Sequence, residues 1–167
     1  TNGQEPDMIQ KLQDEDALPT QLYLSTNAAD YESFIKINKP KYDDSWERWN
    51  RTLDMLKDLD TRTVLRITLI RDYNDQKEMI PTFADMFRKA SPHFIEIKSY
   101  MHIGRSTNRL EHENMLEMHE VKKFSEEIAK QSKIFSIMDE SLVSRISILQ
   151  NNERFIDRYI PTYANTN

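Results

Sequence analysis

The sequence predicts an α/β fold built on a parallel sheet. Two observations carry this. Short apolar runs rich in β-branched residues recur along the chain, and between them lie stretches whose apolar residues repeat at helical spacing. Strands separated by helix-length connections are the pattern of βαβ units. A third observation concerns size: 167 residues, 38% hydrophobic and 31% charged, are enough for one domain with a core.

Each element has its own signal. "QLYLS" (21–25) is a short apolar strand between Pro19 and the polar pair Thr26-Asn27. In 44–59, Trp46, Trp49, Leu53 and Leu56 fall on one helical face, and Asp44 with Glu47 has capping-box spacing. "TVLRITLI" (63–70) is a β-branched strand closed by "RDYND". In 81–90, Phe83, Met86 and Phe87 cluster behind Pro81, a residue suited to the first helical turn. "HFIEIK" (93–98) is the third strand, and 118–130 aligns Met118, Val121, Phe124 and Ile128 as a helix. "KIFSIM" (133–138) and "SRISILQ" (144–150), separated by the polar turn "DESLV", read as a hairpin. Residues 1–150 are thus expected to form the domain, and 151–167 a polar C-terminal tail with Pro161, loose at least in part.

Composition excludes several classes. No apolar run approaches the ~20 residues needed to span a bilayer, and the start carries no signal-peptide pattern. A net charge of −5 argues against wholesale coating of nucleic acid, while leaving room for a local basic patch. The absence of cysteine excludes disulfides and thiolate metal ligands within these residues, and fits a cytoplasmic setting. The chain opens on Thr1-Asn2-Gly3 without Met, so a longer parent chain is expected.

Parallel α/β folds bind ligands at the carboxyl ends of their strands. There the sequence places Ser25, Thr26 and Asn27; then Thr68, Arg71 and Asn74; then Lys98, Tyr100, Gly104, Arg105 and Ser106. Hydroxyls, amides and cations of this kind hold polar small molecules, although turn chemistry explains Asn and Gly equally well. One segment is unusual for an acidic chain: 98–109 carries Lys98, His102, Arg105 and Arg109 and no acid. Lys39 and Lys41 form a second basic spot. His112 and His119 stand seven residues apart, whereas helical metal sites favour a spacing of four. Trp46 and Trp49 share their face with Leu53 and Leu56, which favours core packing over stacking on a base.

Several stretches, in order along nearly the whole chain, resemble a known family: "TNG", "PTQLYLS", "INKP" with "WERWNRTLDML", "RTVLRITLIRDYN", "FIEIKSYMHIGRSTNRLEHENM" with "HEVKKFSEEIA", and "DESLVSRISIL". They are similar to the radical S-adenosylmethionine enzymes, and within them to the tRNA 4-demethylwyosine synthases of the wybutosine pathway, in their archaeal form. The resemblance implies the later strands and helices of an incomplete parallel (β/α) barrel. It implies cofactors, S-adenosylmethionine and a [4Fe–4S] cluster held by a CxxxCxxC motif. It implies partners: phenylalanine tRNA, pyruvate and an electron donor. The reaction condenses N1-methylguanosine at tRNA position 37 with two carbons of pyruvate, giving 4-demethylwyosine. This chain departs from the family in having no cysteine, so by itself it is expected to be inactive.

Residue roles follow from the resemblance one at a time. Asn2, Ser25 and Asn27 would face the cofactor, with Asn27 standing where the family commonly has Asp. Arg66 would meet the cofactor's carboxylate or, alternatively, pair with Glu96 on the neighbouring strand. Thr68 shares that strand face, and Asn74 would bind cofactor or cap the next helix. Lys98, Tyr100, Arg105 and Arg109 would meet the tRNA. No metal ligands are expected in this chain. Two other classes compatible with the residues are a noncatalytic RNA-binding module and a different barrel enzyme holding a phosphorylated metabolite near Gly104-Arg105-Ser106.

Overall fold

The structure is a computed structural model that describes residues 1–160. Five strands form one sheet: β1 (Gln21–Ser25), β2 (Arg62–Leu69), β3 (Phe94–Ser99), β4 (Phe135–Ser141) and β5 (Ile146–Asn151), in the order β1-β2-β3-β5-β4. β1, β2 and β3 pair in parallel, whereas β5 runs antiparallel to both β3 and β4. The α/β class and the terminal hairpin are as expected, but the sheet is mostly rather than wholly parallel. The hairpin is the cause: a tight turn reverses β5, which then inserts between β4 and β3. β4 also runs on to Ser141, so three of the five residues of the expected turn are strand, with a bulge between Ile137 and Asp139.

The helices are α1 (Pro6–Asp14), α2 (Tyr31–Asn38), α3 (Ser45–Met55), α4 (Ile80–Ala90) and α5 (Met118–Ser132). The last three match the sequence pattern, α3 ending earlier than its apolar spacing suggests. Asp44 does not cap α3 through its side chain; it accepts from Arg48 Nε one turn on, at 2.8 Å. Pro81 does sit in the first turn of α4. α1 and α2 lie in segments without a wide apolar stripe. α1 buries only Pro6 and Ile9, and α2 only Phe34, behind an Asp30 cap that accepts from Ser33 N at 2.9 Å.

Strand alternation divides the sheet into two faces. Leu24, Leu65, Ile67, Leu69, Ile95, Ile97 and Leu149 pack against the helices in one cluster with Trp49, Leu53, Phe83, Phe87, Phe124 and Ile128. Trp46 stacks on Trp49 at 5.3 Å and meets Phe34 edge-on, so both indoles are committed to packing. The opposite face carries Tyr23, Ser25, Val64, Arg66, Thr68, Phe94, Glu96, Lys98 and Ile148, and no helix among the described residues covers it.

The expected loose tail is partly a docked strap. Asn151 completes β5, and residues 154–160 cross the amino-terminal end of the helix-free face. The buried Arg62 donates to the carbonyls of Asp157, Arg158 and Tyr159 at 2.6–3.2 Å, while its guanidinium lies 5.5 Å from the Phe94 ring centre. Gln150 Nε2 donates to the Ile156 carbonyl at 2.9 Å. The rest of the expected tail, with Pro161, lies outside the described residues. No helix among the described residues is long and apolar enough to cross a membrane.

Candidate functional site

The carboxyl ends of β1, β2 and β3 form a mouth with two contrasting sides. On the β1 side lies a cavity of about 660 Å³. Asn2, Ser25 and Asn27 line it together with Gln4, and Asn38, Lys39, Lys41 and Tyr42 form its outer wall. The chain start is held there by strand-like pairing: the Thr1 amino group donates to the Tyr23 carbonyl at 2.7 Å, and Ser25 N to the Thr1 carbonyl at 3.1 Å. Gly3 then turns the chain inward at φ +76°, a conformation suited to glycine. Thr52 Oγ1 donates to its carbonyl at 2.9 Å.

Three of the expected residues thus come together. Nothing in the sequence pattern singles out Gln4 or Tyr42, which reach the cavity only through the turn at Gly3 and the loop after α2. Gln4 donates through Nε2 to the Ser45 carbonyl at 3.1 Å, while its buried Oε1 has no partner among the described residues. A buried acceptor left without a donor is costly. A ligand hydroxyl would satisfy it.

Several of the expected residues, Asn27 among them, are engaged by partners within the fold. Asn27 Oδ1 accepts from Thr68 N at 3.0 Å, tying the end of β1 to β2. Asn74 is fully buried, accepts from Ile70 N and donates to the carbonyls of Asn27 and Thr68. Every polar atom of its side chain is engaged, so Asn74 is a strut between strand ends. Arg66 pairs with Glu96 through Nε at 2.8 Å and Nη2 at 3.2 Å, over the Tyr23 ring at 4.3 Å. Burial and the Glu96 carboxylate push the Tyr23 phenol above its usual 10.0, with Arg66 opposing. Tyr100 is buried, and its hydroxyl meets His102 Nδ1 at 3.1 Å.

On the β3 side of the mouth lies the loop 100–117, which contains two short 3-10 turns, Gly104–Asn108 and His112–Asn114. Arg105 and Arg109 are exposed on it and Lys98 half-exposed below it; none has an acid partner among the described residues. Arg71 braces this loop. It accepts from Asn114 Nδ2 through its carbonyl, and its guanidinium reaches the Glu113 and Met115 carbonyls and both Glu120 oxygens, the last two at 2.6 and 2.7 Å. The pairing holds the Glu120 carboxyl below its ordinary value. His112 lies against His102, whereas His119 faces a separate groove beside Asp75 and Glu120. No cluster of three His, Asp or Glu side chains suited to a metal occurs among the described residues.

Residues 89–151, from the end of α4 to the end of β5, match a family profile described as wyosine base formation. The chain is 38% identical over 153 residues to the S-adenosyl-L-methionine-dependent tRNA 4-demethylwyosine synthase of Pyrococcus abyssi, covering 92% of this chain and 44% of that protein. It is 41% identical over 159 residues to the corresponding synthase of Methanocaldococcus jannaschii, covering 94% and 47%. A solved structure of TYW1 with a lysine–pyruvate adduct bound superposes with a TM-score of 0.80 at 40% identity, covering 93% of this chain and 47% of that one. In sequence and fold the chain is similar to the tRNA 4-demethylwyosine synthases. It spans less than half the length of these relatives. A crystal structure of archaeal TYW1 agrees, with a TM-score of 0.73 at 35% identity.

Proposed function

We propose that this chain supplies the substrate-side portion of a cytoplasmic radical S-adenosylmethionine enzyme, a lyase-class synthase. The whole enzyme would convert N1-methylguanosine-37 of phenylalanine tRNA and pyruvate to 4-demethylwyosine. The observation that carries the reading is the mouth itself. A polar cavity of nucleoside-accommodating size opens at the carboxyl end of β1, and a loop of cations without acid partners among the described residues lies on the β3 side of the same mouth. Similarity to the synthases over more than nine-tenths of the chain supports it.

The residues present fit one implied cofactor and not the other. Ser25 Oγ, the Asn2 and Asn27 amides and the orphaned Gln4 Oε1 suit the ribose hydroxyls and amino-acid groups of S-adenosylmethionine. When cleaved reductively, that cofactor supplies a 5′-deoxyadenosyl radical. A [4Fe–4S] cluster does not fit, because the sequence contains no thiolate ligand. The cluster, its electron donor and pyruvate capture would belong to the rest of the enzyme, and this chain alone would be inactive. Its own residues bind and orient: Lys98, Arg105 and Arg109 take tRNA phosphates, and the target base then enters the cavity.

The test is anaerobic reconstitution of the full-length enzyme with N1-methylguanosine-37 tRNA, pyruvate, S-adenosylmethionine and dithionite, with mass spectrometry of the digested tRNA. Formation of 4-demethylwyosine is expected. Replacing Ser25 and Asn27 together by Ala should weaken S-adenosylmethionine binding by about tenfold, the worth of one or two hydrogen bonds. Failure of the parent enzyme to modify the tRNA would overturn the reading. Parental cofactor affinity in the double variant would remove this cavity from it.

A further inference from the structure

The mouth carries exposed apolar side chains as well as cations. Leu142 and Val143, at the tip of the turn between β4 and β5, are 73% and 94% exposed, and Ile103 in the loop after β3 is 69% exposed. Antiparallel pairing brings the tip to the mouth: Lys98 stands opposite Ile146, and Ser99 N donates to the Arg145 carbonyl at 3.0 Å. Arg145 then fastens the hairpin to the basic loop. Its Nη1 donates to the Leu116 carbonyl at 3.0 Å, and its Nη2 pairs with Glu117 at 3.2 Å. The base of the hairpin is therefore tied to both ends of the loop that presents Arg105 and Arg109.

The charge around the tip favours RNA over a protein partner. Lys98, Arg105 and Arg109 have no acid partners among the described residues, whereas Glu111 caps the turn at Asn114 and Glu117 is paired. Glu113 is the one carboxylate of the loop left exposed without such a contact among the described residues. Cations flanking aliphatic side chains match a single-stranded RNA loop, whose phosphates lie outside and whose base faces are apolar. When a base leaves its stack, its neighbours are left with a bare face, and aliphatic wedges cover it in many nucleic-acid complexes.

We infer that Leu142 and Val143, with Ile103, form a wedge that packs against the base next to the target purine and holds open the gap left when the target enters the cavity. The inference rests on the tRNA reading above and adds to it a contact with base faces. Such a contact releases no counterions, so it differs from the arginine contacts in one measurable respect: removing it leaves the salt slope unchanged.

The experiment uses the full-length enzyme and an anticodon stem-loop RNA carrying 2-aminopurine beside N1-methylguanosine. Leu142→Ser/Val143→Ser should weaken RNA binding by roughly tenfold. It should keep the parent's dependence on salt and lose the rise in 2-aminopurine fluorescence that the parent produces. Both side chains are exposed, so the melting temperature and sedimentation of the RNA-free variant should match the parent. Parental affinity with a parental fluorescence rise overturns the wedge and leaves the tRNA reading standing. A lowered melting temperature or altered sedimentation without RNA also overturns it, because the tip would then pack on protein. A parent enzyme that does not bind the stem-loop overturns the tRNA reading itself.

Discussion

Arg66 and Glu96 face each other across neighbouring parallel strands, joined by two hydrogen bonds on the helix-free side of the sheet. The side chains are unequally exposed, at 41% for Arg66 and 11% for Glu96. The pair therefore matters chiefly to the glutamate. Arg66→Ala should cost about 2 kcal/mol, because it leaves a mostly buried carboxylate without its guanidinium. Arg66 Nη1 is not used in the pair, so a ligand carboxylate has an atom to bind. Urea denaturation reads the first effect and calorimetry with S-adenosylmethionine the second. Cofactor affinity within about twofold of the parent would make the ion pair the whole role of Arg66.

His93 predicts an acid-sensitive strand end. Burial, with Arg154 and Arg62 nearby, lowers its pKa from 6.5 to about 4. Its Nδ1 accepts from Thr63 N at 3.1 Å, which requires that nitrogen to be unprotonated. The folded state thus binds a proton less readily than the unfolded state. The resulting stability is fully present above pH 6.5 and is lost as pH falls from there toward 4. His93→Asn keeps an acceptor and cannot titrate. Its unfolding free energy should change less between pH 7 and pH 5 than the parent's, and equal pH slopes would contradict the assignment.

Arg105 and Arg109 make a prediction about salt. Removing one phosphate-binding side chain should lower the slope of log binding constant against log salt by roughly 0.7–0.9. Arg105→Ala and Arg109→Ala in the full-length enzyme should weaken tRNA binding at low salt and flatten its salt dependence. Filter binding at several salt concentrations reads this directly. Parental slopes in both variants would leave the loop without a phosphate role.

Gly3 is the point where the cavity wall depends on a missing side chain. A Cβ there would lie 2.8 Å from Leu24 Cδ1 and 3.0 Å from Trp49 Cδ1, on a backbone with φ +76°. Gly3→Ala combines overpacking with backbone strain and should destabilise the fold by about 2–3 kcal/mol. Thermal melting checks this. Gly104→Ala is the contrasting case, since its Cβ would meet open space and only the φ of +62° opposes it. It should cost about 1 kcal/mol.

Strands and large amphipathic helices were legible because burial leaves a period in the sequence. β2 and β3 and helices α4 and α5 fall within a residue or two of their patterns. α1 and α2 were not, because each buries only one or two side chains and so imposes no stripe; only the Asp30 cap and Pro6 mark them. The insertion of β5 between β3 and β4 has no local signature, since it depends on pairing between residues some fifty positions apart. The site divides the same way. Asn2, Ser25 and Asn27 are strand-end residues that do reach one cavity. Asn74 has the same chemistry and the same kind of position, yet all its polar atoms are spent on backbone partners. Residue type cannot distinguish an amide that serves the chain from one available to a ligand.

The strap across the amino-terminal end of the sheet has an evolutionary consequence. Arg62 grips it through three successive main-chain carbonyls, groups that every amino acid carries. Selection therefore acts unevenly on the two sides of this contact. In a library of variants, positions 157–159 should drift widely, constrained mainly where Arg158 also meets Asp139. Arg62 should tolerate almost nothing, lysine included, because a single ammonium cannot reproduce the planar fork that reaches all three oxygens.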